Sequence, residues 1–139
     1  MSNNNLIFSG KTLAIFIVFA LAFTGAYSCR QAPGVDATIS NVDLLARIQK
    51  GNAPLILDVR TSEEYQSGHI PGSVNIPHSQ LSSRLSELGI SKSNEVVVHC
   101  EIGRRASTAE MILTESGYTQ VLDLEGHMRS WRESKLPTE

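Results

Sequence analysis

The residues best suited to chemistry lie in one short stretch, residues 98–106, which reads VHCEIGRRA. A thiol, Cys100, stands at the end of an apolar run, and a glycine, two arginines and the start of a helical pattern follow it. Arg104 and Arg105 favour the thiolate electrostatically, and the first turn of a helix adds partial positive charge and unpaired N–H groups. Because the thiolate is the reactive form of cysteine, this stretch predicts that Cys100 is a nucleophile.

The spacing in the same stretch indicates how an anion could be held. The loop 100–105 has six residues and can curl so that the N–H groups of residues 102–105 converge on the sulfur. Gly103 supplies the relaxed backbone limits that a tight curl needs, and the two arginines can bind an oxyanion. Glu101 opposes an anionic ligand because it places a negative charge beside the nucleophile. We assign these loop residues to substrate binding: Glu101, Ile102, Gly103, Arg104 and Arg105.

The remaining sequence predicts alternating strands and helices that would position the loop. Short apolar runs predict strands at residues 54–59, 73–76, 95–99 and 121–123. Helical spacing and capping residues predict helices at 40–51, 62–66, 81–89, 106–117 and 128–133. Such alternation is typical of an α/β fold with a mostly parallel central sheet flanked by helices. Ligands of these sheets bind beyond the carboxyl ends of the strands, where Cys100 is expected to lie.

The first 28 residues have the layout of an export signal and are excluded from the fold. Lys11 precedes eleven consecutive apolar residues, 13–23, and small polar residues follow. Cys29 stands where a bacterial lipoprotein carries its lipid, but Tyr27 fits that pattern poorly, so plain secretion and an uncleaved anchor stay open. We expect a periplasmic or cell-surface protein anchored to the membrane through Cys29, with a tether at 29–37 and one domain at 38–139.

Charge and cysteine content narrow the possible partners. The chain has 14 acidic and 12 basic residues, a net charge of −2, so no nucleic-acid partner is expected. Lipidation of Cys29 would leave Cys100 as a lone, reactive thiol, whereas a Cys29–Cys100 disulfide is the alternative. The four histidines lack the spacing of a metal site. We therefore expect a monomer that uses neither a metal nor another cofactor.

Three motifs in series resemble the rhodanese family, and together they cover residues 38–137. The first includes residues 57–60, 64–65, 68–73 and 75–77. The second is the loop pattern formed by Cys100, Gly103 and Arg105. The third includes residues 124–126, Met128, Trp131 and Pro137. The resemblance implies a three-layer rhodanese-like domain. It also implies a sulfurtransferase in which Cys100 takes the outer sulfur of thiosulfate as a persulfide, releases sulfite, and passes the sulfur to a thiol or to cyanide.

Some residues around these motifs are interpreted as structural. Asp58, Arg60 and His69 are expected to order loops near the site, with an Arg60–Glu64 pair as one means of doing so. His127 stands where the family usually has a second glycine. A positive φ at that position would strain histidine, although histidine tolerates it better than most residues.

Two other functions are also compatible with the sequence. A phosphatase or arsenate reductase with the rhodanese fold also often begins its loop with His-Cys-Glu. Such a loop needs five residues between cysteine and arginine, but Ala106 occupies that position and Arg105 comes one residue too early. The other alternative is a persulfide carrier or sulfur-binding module that serves a protein partner without turnover, because carrier and enzyme share the first half-reaction.

Overall fold

Five parallel strands form the centre of the structure, a computed structural model that describes residues 37–139. The strands are β1 (Thr38–Ile39), β2 (Leu55–Asp58), β3 (Val74–Asn75), β4 (Glu95–His99) and β5 (Gln120–Leu124). Their order across the sheet is β1-β5-β4-β2-β3, so β4 is the central strand. Its register pairs His99 with Asp58 of β2 and Val98 with Asp123 of β5.

Helices cover both faces of this sheet, as the predicted α/β class requires. They are α1 (Asn41–Gln49), α2 (Ser62–Gln66), α3 (Leu81–Arg84), α4 (Arg104–Glu115) and α5 (His127–Glu133). Val96, Val98 and Cys100 of the central strand region pack in an apolar cluster with α3 and α4. Val97 packs in a second cluster with α1 and α5. The alternation of a strand therefore places Cys100 on the α4 face and His99 on the α5 face.

Three elements differ from the sequence prediction. The helix predicted at 81–89 is α3 followed by a 3₁₀ turn, Leu85–Leu88, because Arg84 leaves α-helical geometry and the turn ends at Gly89 with φ +63°. Strand β1 was not predicted, since two residues are too few to show alternation. In α1, Leu45 and Ile48 pack against the core as the spacing predicts. Val42 is 72% exposed, however, and Leu44 is the fully buried residue of this face.

Several predicted features of the N-terminal region lie outside the described range. The predicted export signal at 1–28, the predicted lipid site at Cys29 and all of the tether except Ala37 lie there. Between residues 37 and 139, no helix is long and apolar enough to cross a membrane.

Candidate active site

Cys100 follows the last residue of the central strand and lies at the base of a pocket. The pocket has a volume of about 470 Å³ and is lined by His78, Cys100, Glu101, Ile102, Arg104, Arg105 and Thr108. Cys100 is a free thiol, and only 1% of the residue is exposed. The predicted nucleophile therefore sits at the carboxyl end of the sheet, where a ligand of a parallel sheet is expected.

The loop after Cys100 directs a backbone donor at the sulfur. The Gly103 N–H donates a hydrogen bond to Sγ at 3.1 Å. Gly103 has φ +106°, and a Cβ on it would lie 2.7 Å from Nε2 of His127. Glycine is therefore required here both for backbone conformation and for space. Because a thiolate accepts such a hydrogen bond more strongly than a thiol does, this contact favours the reactive form.

Arg105 makes a two-point ion pair with Glu64 of α2. Its Nη1 and Nη2 lie 2.5 Å and 2.8 Å from the two carboxylate oxygens. The hydrogen bond from Arg105 lowers the pKa of Glu64 to about 2, and the same bond raises the pKa of Arg105, with a smaller contribution from nearby Cys100. The proposed Arg60–Glu64 pair does not form, because Glu64 faces Arg105 instead. This pair fixes the first turn of α4 against α2.

Arg104 differs from its neighbour in exposure and in partners. It is exposed at the pocket, and it makes no salt bridge with any residue between 37 and 139. Ile102 lines the same pocket, and 50% of this residue is exposed. Of the two loop arginines, Arg104 is thus the one whose charge is available to an anion from solvent.

Glu101 has two cationic neighbours that the sequence analysis did not identify. Its carboxylate pairs with Arg132 of α5, and its other oxygen lies 3.9 Å from Nη1 of Arg60. The backbone of α5 holds the same segment, since the Met128 N–H donates to the carbonyl of Cys100 at 3.0 Å and the Arg129 N–H to that of Glu101 at 3.2 Å. The negative charge of Glu101 is therefore balanced, and the residue anchors the loop to α5.

On the α5 face of the sheet, Asp58 and Arg60 form a buried ion pair. Arg60 Nη2 lies 2.6 Å from Asp58 Oδ2, Arg60 Nε binds both carboxylate oxygens, and both side chains are at most 1% exposed. His99 lies beside this pair, with Nε2 3.8 Å from Asp58 Oδ2. Burial lowers the pKa of His99 to about 4, so the imidazole is neutral at physiological pH.

His69 lies outside the pocket lining. Its Nδ1 is 3.0 Å from the carbonyl oxygen of Tyr65, and its ring stacks on the Tyr65 ring at 3.7 Å. Arg60 also donates to the carbonyl of Gly68 at 2.9 Å. These contacts order the segment that follows α2, and none of them involves Cys100.

Sequence reasoning missed two kinds of residue. His78 and Thr108 line the pocket. Thr108 is one helical turn beyond Arg104, so its spacing could have revealed it, but nothing in the sequence around His78 signals its position. The second kind is a buried group behind the loop, formed by Glu110, Asp123 and His127. His127 has a positive φ, +53°. The resemblance to the rhodanese family, in which a glycine usually occupies this position, had pointed to such a conformation.

Comparison with known proteins agrees with this geometry. The model of the rhodanese-like domain family matches residues 40–134. The thiosulfate sulfurtransferase PspE of Escherichia coli is 39% identical over 70 residues, which cover 50% of this chain and 67% of that protein. A sulfurtransferase of Allochromatium vinosum is 33% identical over 99 residues, 71% of this chain and 91% of that protein.

The chain is also similar to parts of longer proteins and to a solved structure. The chain spans only 40% and 44% of two curated relatives, YrkF of Bacillus subtilis, named as a candidate sulfur carrier, and a transcriptional regulator of Mycobacterium tuberculosis. A rhodanese-related protein from Thermoplasma volcanium has a crystal structure that matches with a TM-score of 0.64 and 31% identity, covering 74% of this chain and 97% of that one. The chain belongs to the family of rhodanese-like domains.

Proposed function

We propose that this protein is a sulfurtransferase that carries sulfane sulfur as a persulfide on Cys100, with thiosulfate or a similar anion as donor. The observation that carries the proposal is the Gly103 N–H on the Cys100 sulfur, 3.1 Å away, at the base of a pocket that opens beyond the central strand. This geometry stabilises a sulfur anion without a side-chain base. PspE, which is 39% identical over 70 residues, is named a thiosulfate sulfurtransferase.

The first half-reaction moves one sulfur atom and leaves charge balanced. The Cys100 thiolate attacks the outer sulfur of thiosulfate, a new S–S bond forms, and the S–S bond within thiosulfate breaks. Its electron pair leaves with sulfite, and the persulfide anion stays on Cys100. The Gly103 N–H that faces Sγ is placed to stabilise negative charge on the sulfur throughout this step.

The second half-reaction returns the enzyme to its starting state. An acceptor thiolate or cyanide attacks the outer sulfur of the persulfide, and the electron pair of the broken bond returns to Cys100 as a thiolate. The exposed side chain of Ile102 and the open pocket leave a path to this sulfur from solvent. The proposed acceptor is a thiol or cyanide, whereas a carrier would be charged with sulfur once and would not turn over.

The two arginines take different roles in this proposal. Arg104 is exposed and free of salt bridges with the described residues, so it attracts the sulfonate end of the donor. Arg105 is paired with Glu64 and holds the start of α4, on which the loop depends. Arg104→Ala should therefore raise KM for thiosulfate by about tenfold with kcat nearly unchanged, since one charge-assisted hydrogen bond is worth about 1.5 kcal/mol or more.

The steady-state assay of sulfite release tests these assignments together. Wild type should turn over repeatedly with thiosulfate and a thiol or cyanide, and Cys100→Ser should release no sulfite. Arg84→Ala, which removes an arginine outside the pocket lining, should match wild type. Release of one equivalent without turnover would favour the carrier. Equal KM values for wild type and Arg104→Ala would remove Arg104 from donor binding, and hydrolysis of p-nitrophenyl phosphate at a comparable rate would favour the phosphatase.

We further propose, from the sequence of residues outside the described range, that the protein is exported and that Cys29 carries a lipid. Mass spectrometry of the mature N-terminus should find a diacylglycerol adduct on Cys29. An unmodified Cys29 or an intact Met1 would overturn this part of the proposal without touching the sulfur chemistry.

A further inference from the structure

Three titratable side chains meet behind the loop that holds the Cys100 sulfur, and none of them lines the pocket. Glu110 belongs to α4, Asp123 to β5 and His127 to α5, and we call these three residues the rear cluster. His127 Nδ1 lies 3.5 Å from Asp123 Oδ1, and Asp123 is near enough to Glu110 to help raise the pKa of the Glu110 carboxyl. Glu110 and His127 are buried, at 6% and 7% exposed, whereas the side chain of Asp123 is 29% exposed.

The rear cluster has too few hydrogen-bond partners for its polar atoms. Oε1 of Glu110, Oδ1 of Asp123 and Nδ1 of His127 are buried, and none makes a well-formed hydrogen bond with a residue in the range 37–139. Two neighbouring carboxylates repel each other unless one of them holds a proton. Such a proton gives the pair a hydrogen bond and leaves one negative charge facing the imidazole.

His127 connects the rear cluster to the sulfur. Its Nε2 lies so close to Gly103 that a Cβ there would approach to 2.7 Å, and the Gly103 N–H is the group that donates to Sγ. The next residue, Met128, donates its N–H to the carbonyl of Cys100. His127 holds φ +53°, a conformation that costs energy in a residue other than glycine and persists only where the surroundings impose it.

We propose that His127 is a positioning residue for the sulfur-holding loop: its imidazole supports Gly103 from behind, and the Glu110–Asp123 pair holds that imidazole in place through one shared proton. The inference deepens the proposed function, on which its meaning for sulfur transfer rests. The placement of the Gly103 N–H on the sulfur is a geometric claim that can be tested without any sulfur donor.

The proton of the rear cluster makes this support sensitive to pH. Burial, and then the charge of Asp123, raise the pKa of Glu110 to about 7, while burial lowers the pKa of His127. Among residues 37–139, His99 of β4 also interacts with His127 and is neutral near this pH, Cys100 lies beyond Gly103, and β1 has no titratable side chain. Raising the pH through neutrality therefore adds a second negative charge behind the loop, which disfavours an anion on Cys100.

Alkylation of Cys100 by iodoacetamide, measured on the full chain by mass spectrometry of the Cys100 peptide, tests the inference. The matched variants are Glu110→Gln, which keeps the shape but cannot ionise, and Glu115→Gln, an exposed change on the same helix. The alkylation rate of Glu110→Gln should equal that of wild type near pH 6 and exceed it by about threefold near pH 8.5. Glu115→Gln should follow wild type at both pH values.

A second variant tests the positioning contact directly. His127→Gly relieves the positive φ but removes the support behind Gly103, so the Cys100 alkylation rate near pH 7 should fall by about tenfold as the sulfur loses a charge-assisted hydrogen bond. Wild-type rates in His127→Gly, together with an unchanged pH profile in Glu110→Gln, would overturn the inference. Sulfite release, measured in parallel, separates the two proposals. If alkylation changes in both variants but wild type transfers no sulfur, the proposed function is wrong and the positioning role of His127 still holds.

Discussion

Acidic residues lie on both sides of the central strand, and the structure gives them opposite kinds of partner. On the β2 side, Asp58 is met by Arg60 through several short contacts, with neutral His99 beside them. On the β5 side, Asp123 faces a second carboxyl, Glu110, and a buried histidine, with no Lys or Arg salt bridge from the described residues. The negative charge of Asp58 is balanced by Arg60. The rear cluster has two carboxyl groups and no such partner among the described residues, so one of the two carboxyls must hold a proton.

The difference shows how one loop is held from both faces of a sheet. Asp58 lies on the same face as Ile56 and the α5 cluster, and Arg60 reaches from there to Glu101 in the loop. Asp123 lies on the opposite face from Leu122 and Leu124, and reaches the loop through His127. The first support is a buried ion pair, whereas the second contains the Glu110 carboxyl, whose pKa is raised to about 7. The structure thus couples a rigid support with a titratable one.

Removing the compensated acid should have the largest effect on stability. Asp58→Ala leaves the Arg60 guanidinium buried without its main partner, and breaking a buried pair in this way costs about 3–5 kcal/mol in the free energy of unfolding. Urea denaturation should show this loss as a lower midpoint. The matched control is Glu87→Gln, which breaks the exposed Arg84–Glu87 pair and should leave the midpoint unchanged. Equal midpoints for Asp58→Ala and wild type would show that Asp58 does not stabilise the fold.

His99 should dominate the loss of stability in mild acid. Its folded pKa of about 4 lies below its ordinary value of 6.5, so the unfolded chain binds a proton that the folded chain excludes. The stability from neutral His99 is complete above about pH 6.5 and is lost as the pH falls toward 4, by about 3 kcal/mol in total. His99→Leu should lack this slope in urea titrations across that range. A slope as steep in His99→Leu as in wild type would assign the acid sensitivity to other groups.

The smallest of these effects should come from the rear cluster, and with the opposite sign. The pKa of Glu110 is raised in the folded state, so its contribution is present below about pH 4.5 and is lost as the pH rises through about 7. Glu110→Gln should therefore be more stable than wild type near pH 8.5 and no more stable near pH 5. The gain should be about 1 kcal/mol, less than for His99, because Asp123 is 29% exposed and water screens part of the repulsion. Greater stability of wild type at the alkaline pH would mean that the carboxyl pair is not strained.

The sequence predicted those features of the fold and site that depend on local pattern. The runs of apolar residues at β2 and β4 are buried on both faces and carry a recognisable signal, and Cys100 follows the second of them directly. The parallel α/β class and the rhodanese resemblance are confirmed by the sheet order and by the family match. Local spacing was sufficient because each of these features involves residues close together in the chain.

Features formed by distant residues were not predicted. Glu64 and Arg105 are 41 positions apart, and Glu101 and Arg132 are 31 apart, so no spacing rule connects them. The expected Arg60–Glu64 pair followed a helical spacing, but the structure satisfies each residue with a partner from elsewhere. The rear cluster needed the register of β5 and the start of α5 as well. Side-chain partners across a sheet depend on tertiary packing, which the sequence pattern does not specify.

The mass of the intact protein after incubation with thiosulfate tests the central claim most directly. Wild type should gain the mass of one sulfur atom on the peptide that contains Cys100, and a reducing thiol should remove it with the release of hydrogen sulfide or a thiol persulfide. Cys100→Ser, folded as judged by its urea midpoint, should gain nothing. A wild-type protein that acquires no sulfur, or a Cys100→Ser variant that does acquire it, would contradict the account.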